Sequence, residues 1–487
     1  MHSESWEIKT SGLDKRSVGL KFLARTAIFV SFVFVFIGVG FCSDKFNPEP
    51  IAVYEGKDAP FWQRVEHLRD MHPGFVQENF FKFGTQTNEK IKSWFGGNAT
   101  PHSGEFLLHC AKDFNAKTFP IPVLLLPGSC DNANRGWIHP KKLDFDGSLS
   151  DLSNEEKGFA VWLAEMGYSV FAITFAHPQG DNFMQSEHVA NAITRIRILL
   201  NRQNDPNFKI NIIAHSKANL AARLYLSDSA SLFPKKKFLT NFRHDVANYI
   251  AVASPFRGLD TPFRYYGYNL SLAGQLLPNP QLNAPVASEK MLMYGLWADY
   301  SEISVFPDVG KNYFPGQCQL LYNLAGDGIL PLGLDSCTTD MNYSMNCLYF
   351  GGTSLLLQSR GIKKAIELGE RFIYKLEEKG IDPSVNLGVI AGNNPFITKI
   401  EGQIVPMPWE FFTPEGDGLL PIVSSTFTDN VLKRGAKLLG KKIFRLNHLE
   451  LTQEKTVLDL IDSWFMQNNG TSHRTVRAPA ISPITSQ

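Results

Sequence analysis

The run NIIAHSKANLAARLYL (211–226) sets Ser216 between a β-branched apolar stretch and an amphipathic one. A serine on such a strand-to-helix turn has its hydroxyl exposed and faces the positive end of the following helix dipole, as a nucleophile requires. The usual form of this turn is G-x-S-x-G, and here Ala214 and Ala218 stand at both glycine positions. Each adds a methyl group and gives up freedom at positive φ. A serine after a strand also serves as a helix N-cap, so the motif alone leaves both readings open. The chemistry open to Ser216 is acyl transfer, for which it needs a base and an orienting acid. Two Asp-Gly turns, GDGILP (326–331) and GDGLLP (416–421), offer Asp327 and Asp417. His448, in FRLNHLELTQ (444–453), alone among the 12 histidines lies between a last apolar run and a C-terminal amphipathic stretch. Ser216, Asp417, His448 is one of the chain orders in which such triads occur.

Positioning these groups takes a scaffold, and the pattern from about residue 104 supplies one. Short apolar runs at 120–127, 168–175, 209–216, 249–255, 386–393 and 442–446 alternate with helical stretches at 153–166, 186–203 and 217–227. Continuous apolar strands separated by helices predict an α/β fold, a mostly parallel sheet covered on both faces. Residues 257–384 interrupt the rhythm with a segment rich in Tyr, Phe, Leu, Pro and Gly, ending in a helical stretch near 360–379. An insertion of that length reads as a cap with structure of its own. Its RYYGYNL (264–270) and LMYGLW (292–297) runs fit a lipid-facing surface and the cap's own core equally well. Spaced aromatics and charges over 59–95 predict one or two helices on a flank, and the polar, proline-containing tail from Asn468 predicts disorder.

Lys plus Arg total 48 against 47 Asp plus Glu, which leaves no field to attract nucleic acid. Residues 26–43 are uncharged and mostly apolar, and Lys9, Lys15, Arg16, Lys21 and Arg25 precede them. A helix of that length rises about 27 Å against a bilayer core of about 30 Å. This predicts a single-pass membrane anchor with residues 1–25 cytoplasmic and the remainder periplasmic, luminal or extracellular. A cleaved signal peptide, and hence secretion, is the rival reading. Cys318, Cys337 and Cys347 could supply one disulfide in an oxidising compartment. The spacing of Cys and His gives no metal site, and Asp144, Asp146 and Asp151 lack the spacing of a calcium loop. His177, in AHPQGDN (176–182), follows an apolar run and reads as a loop histidine near the candidate site. No residue pattern implies a cofactor or fixes an oligomeric state.

With those motifs in hand, the chain resembles the bacterial triacylglycerol lipases and esterases of the α/β-hydrolase superfamily, whose elbow typically reads N-I-I-A-H-S-K-G-G-L-D-A-R. The resemblance runs from about 120 to 467 without most of the cap, and also rests on LLLPGS (124–129), ASPFRG (253–258), PEGDGLLPIVSS (414–425) and FRLNHLELTQ. It implies an α/β-hydrolase domain over 100–467 with the cap insertion at 257–384, preceded by the helical flank, 44–99, that the aromatics and charges predict. It implies Ser216 as nucleophile, Asp417 in preference to Asp327 as acid, and His448 as base. Oxyanion donors would be the backbone amides of Ser129 and Lys217. The implied reaction is carboxylic ester hydrolysis, with a lipid or other apolar acyl ester as substrate. An acyltransferase with the same triad and a non-catalytic binding protein on the same fold are the alternatives.

Overall fold

The computed structural model describes residues 46, 49–80, 88–138, 156–264, 291–293, 296–299, 304–305, 315–332, 339–353, 358–395 and 415–468. Its centre is a nine-stranded sheet built from β1 (Ala52–Glu55), β2 (Arg64–Arg69), β3 (Glu105–Cys110), β4 (Val123–Leu126), β5 (Val170–Phe175), β6 (Ile210–His215), β7 (Val246–Val252), β13 (Asn386–Gly392) and β14 (Leu438–Phe444). The spatial order is β1-β2-β3-β5-β4-β6-β7-β13-β14, parallel from β5 to β14 and antiparallel across β1, β2 and β3. In β4, Val123 and Leu125 join one hydrophobic cluster while Leu124 and Leu126 join the other, as a pleated strand with both faces covered requires. Helices α2 (Phe159–Met166), α3 (Asn182–Leu199), α4 (Ala218–Leu226) and α8 (Lys455–Asn468) supply much of that cover. The mostly parallel α/β sheet expected from the apolar runs is present.

The flank differs from expectation. Among the described residues, 59–95 hold strand β2 and one six-residue helix, α1 (Glu89–Trp94), and the sheet extends to residue 52 rather than stopping near 100. The reason is that Glu66 and His67 of β2 face inward. Glu66 is fully buried and takes Arg195 from α3 through two hydrogen bonds of 2.6 and 2.9 Å, while His67 meets Glu105 at 3.0 Å. Charges that read as a solvated helix face are buried ion pairs on a strand.

At the other side, β13 and β14 pair with Gly388 opposite Gly440. A Cβ on Gly388 would lie 2.6 Å from the Trp464 ring of α8, and one on Gly440 would lie 2.8 Å from it. The two glycines therefore form a slot that receives the indole. Both strands lead into the candidate site.

Within the insertion, β8 (Met291–Met293), β9 (Leu296–Asp299), β10 (Ser304–Val305), β11 (Gly352–Thr353) and β12 (Gln358–Ser359) form a second sheet in the order β11-β12-β10-β9-β8. Helix α5 (Thr339–Phe350) precedes β11. The helical stretch expected near 360–379 is two helices, α6 (Gly361–Leu368) and α7 (Phe372–Lys379), separated where Glu370 and Arg371 take φ of 57° and 54°. Cys347 is a free thiol, so it makes no bridge with Cys318. Among the described residues no helix is long and apolar enough to cross a membrane. The segment 26–43, Cys337, Asp144, Asp146, Asp151, most of RYYGYNL and the tail beyond 468 lie outside the described residues.

Candidate active site

Ser216 follows β6 directly and takes φ of 52°, the left-handed turn that aims a side chain away from the sheet. Such a conformation costs a non-glycine residue about 1–3 kcal/mol and persists where its surroundings over-determine it. Here the Ser216 N–H donates to the Val252 carbonyl at 3.0 Å. The alanines are accommodated because the positive φ falls on Ser216 itself. Ala214 lies within β6 and Ala218 opens α4, both buried and neither at positive φ.

The loop after β14 carries His448, and the turn after β13 carries Asp417, so three separate strand ends converge. His448 Nε2 lies 2.9 Å from Ser216 Oγ, and His448 Nδ1 lies 2.8 Å from Asp417 Oδ2. An ionised carboxylate only accepts, so Nδ1 carries the proton and bare Nε2 accepts from the serine hydroxyl. Asp417 Oδ1 accepts the amides of Leu419 at 3.0 Å and Leu420 at 2.7 Å, which fixes the carboxylate independently of the imidazole. The His448 N–H donates to the Asp417 carbonyl at 2.8 Å. Both side chains are buried. Asp327 is exposed and accepts the Tyr374 hydroxyl at 2.7 Å, apart from this chain of contacts.

Ser129 ends the Pro-Gly turn after β4. A Cβ on Gly128 would approach His215 Nδ1 at 3.0 Å and Ser216 Cβ at 3.1 Å, so this loop abuts the nucleophile turn. The backbone of Lys217 precedes α4 on the other side of Ser216. The two residues expected to supply oxyanion amides are thus on the segments flanking Ser216. His177 is buried, receives the Gln179 N–H on Nδ1 at 3.0 Å and stacks on Phe80, as a loop histidine.

Several side chains around the site have no local sequence signature, because their partners are far away in the chain. Lys217 is buried, and its Nζ donates to Gln185 Oε1 at 2.6 Å. Burial pushes its ammonium down to about 7, against the opposing charges of Glu78 and Asp181. Burial, with the nearby Asp181 charge, raises Glu78 to about 8. Gln317, from the insertion, donates to Ser129 Oγ at 2.9 Å across 188 residues of sequence. Asn182 anchors the same strap, donating to the Gly316 carbonyl at 3.1 Å and to Gln319 Oε1 at 2.8 Å. His215 donates from Nε2 to the His448 carbonyl at 3.1 Å, and burial together with His448 holds its pKa well below the ordinary value. Among the described residues no group of three His, Cys, Asp or Glu is disposed to hold a metal.

Residues 144–265, which include the nucleophile turn, match the model of the lipase family termed class 2. Among solved structures, the chain is similar to the mature lipase BlEst2 of Bacillus licheniformis at 12% identity, with 73% of this chain and 96% of that one covered and a TM-score of 0.34. It is also similar to the siderophore hydrolase EstB of Aspergillus fumigatus at 12% identity, with 75% and 95% covered and a TM-score of 0.35. A third similarity is to a putative lipase from Sulfolobus solfataricus at 12% identity, with 86% and 99% covered and a TM-score of 0.32. No curated protein matches. The parallel sheet and the class 2 lipase match across the strand that leads into Ser216 make the chain similar to the lipases and esterases of the α/β-hydrolase superfamily, and support a carboxylic ester hydrolase.

Proposed function

We propose that the ester is cleaved by Ser216 as nucleophile, His448 as general base and acid, and Asp417 as orienting carboxylate. The observation that supports this reading is the unbroken run of hydrogen bonds from Ser216 Oγ through His448 to Asp417 Oδ2, at 2.9 and 2.8 Å. As Ser216 Oγ bonds to the ester carbonyl carbon, its proton passes to His448 Nε2 and the carbonyl π-electrons move to oxygen. Backbone N–H groups of Ser129 and Lys217 would hold that oxyanion, where loss of one donor typically costs about 3–4 kcal/mol. Collapse breaks the C–O bond to the alcohol, which leaves with the proton from His448. Water, deprotonated by His448, then attacks the acyl-enzyme and frees the acid and Ser216. Asp417 stays ionised throughout and stabilises the imidazolium.

The substrate in this reading is a lipid or another apolar acyl ester, met at a membrane to which residues 26–43 tether a catalytic domain on the non-cytoplasmic side. Its support is the apolar run 26–43 and the aromatic-rich insertion. A fluorophosphonate probe tests the chemistry: wild type labels and Ser216→Ala does not, whereas an unlabelled, folded wild type sinks the proposal. A series of esters from short to long acyl chain tests the substrate class. Turnover that falls steadily with chain length would remove the lipid assignment.

A further inference from the structure

We infer that Asn219 is a positioning residue for Ser216, fixing the left-handed nucleophile turn to the neighbouring strand β7; this rests on the reading of Ser216 as nucleophile. Where the elbow this chain resembles reads K-G-G after the serine, the chain reads Lys217-Ala218-Asn219. Asn219 is buried in the first turn of α4. Its Nδ2 donates to the Ser216 carbonyl at 2.9 Å and to the Val252 carbonyl at 3.1 Å. Its Oδ1 accepts the Tyr249 hydroxyl at 2.7 Å. Two carbonyls can only accept, so the amide nitrogen must face them and the orientation of the carboxamide is determined.

The result is a closed set of contacts around one strained residue. The Ser216 carbonyl receives the Asn219 backbone N–H at 3.1 Å as well as the side-chain amide, and the Ser216 N–H goes to the same Val252 carbonyl that Asn219 engages. Both backbone groups of Ser216 are therefore held, by α4 on one side and by β7 on the other. A glycine at 219 has no side chain with which to make the second contact to the Ser216 carbonyl or any to Val252. Tyr249 and Val252 both belong to β7, so the amide couples the turn to the sheet rather than to its own helix alone. Positive φ at a serine persists only under such over-determination. A side chain that merely filled space here would not need both amide hydrogens and its oxygen engaged.

Asn219→Asp tests this with almost no change in volume, since it replaces the donor by a second acceptor facing two carbonyls. Tyr249→Phe is the milder companion, leaving both carbonyl contacts of the Asn219 amide nitrogen intact. The readouts are kcat and KM on a soluble short-chain p-nitrophenyl ester, the rate of fluorophosphonate labelling, and Tm. The expected result is a folded Asn219→Asp variant with kcat and labelling rate each reduced about 100-fold and KM within about threefold of wild type. Tyr249→Phe should lose about tenfold in the same two quantities, again with KM retained. Variants that label and turn over like wild type overturn the inference, as does a change confined to KM. Should Asn219→Asp fail to fold, Tyr249→Phe decides on the same criteria. A wild type that neither labels nor turns over removes the nucleophile reading itself, and the inference with it.

Discussion

His215 Nε2 donates to the backbone carbonyl of His448 at 3.1 Å, and the two rings lie 4.8 Å apart. The bond joins the end of the strand leading into Ser216 to the loop that carries His448. Because burial and the neighbouring His448 hold its pKa well below the ordinary value, His215 stays neutral and keeps its donor aimed at that carbonyl. Replacing His215 by Leu removes the donor and should lower kcat about 10–100-fold with KM nearly unchanged. Gln, whose amide reaches the position of Nε2, should retain most of the activity. Equal losses in both variants would show that ring packing, not the bond, is what matters.

Asp417→Asn leaves the turn intact but offers an amide where Nδ1 of His448 needs an acceptor. The expected loss in kcat is about 10⁴-fold, with Tm little changed. Asp327→Asn, whose partner is Tyr374, should stay within about twofold of wild type, since a surface hydrogen bond is worth about 1 kcal/mol of stability and touches no reacting atom. The reverse ranking in a steady-state assay would exchange the roles of the two Asp-Gly turns.

The Glu66–Arg195 pair is buried on both sides, with Arg64 as a second partner of Glu66 at 2.7 Å. Arg195→Met should destabilise the fold by about 3–5 kcal/mol in urea titrations, because an under-compensated carboxylate is left inside. Adding Glu66→Leu should recover most of that loss. A double variant no better than the single one would mean that packing, not charge, accounts for it.

His109 and His188 are both buried and held neutral, each pushed down to about 3 by burial. In the unfolded chain they bind protons near 6.5, so between about pH 6.5 and 3 the unfolded state carries more protons than the native one. Stability is therefore lost as pH falls through that window, with each group adding up to about 1.4 kcal/mol per pH unit to the slope. Glu187, raised to about 7 by burial, acts in the opposite sense, removing stability as pH rises from about 4.5 to 7. Comparing wild type with His188→Phe isolates one histidine. The difference between their stabilities should be constant above about pH 7 and move in favour of the variant as pH falls from about 6.5 to 3. Parallel stability curves would exclude this account of His188.

The parallel strands were legible because they have a local cause: VLLL, VFAITF and INIIAH are apolar but for Thr174, Asn211 and His215, as suits strands covered on both faces. Strand β2 was hidden for the converse reason. Its Glu66 and His67 take their buried partners from 195 and 105, and no window of local sequence contains those residues. The same holds near Ser216. The motifs carrying Ser216, Asp417 and His448 each have a short-range signature and come together at hydrogen-bond distance. Lys217's buried ammonium, the Gln317–Ser129 contact and the His215–His448 bond exist only once distant strand ends meet. Asn219 lies inside the Ser216 motif, yet two of its three side-chain contacts require β7.

The glycine slot under Trp464 has a consequence for the site beyond the ends of the same two strands. Asp417 and His448 follow β13 and β14, and those strands meet over an indole that tolerates no side chain at 388 or 440. Trp464 packs against both glycines at once, so the two strands that lead to Asp417 and His448 share one packing partner. A side chain added at either glycine would have to displace the indole, and would act on both strands together.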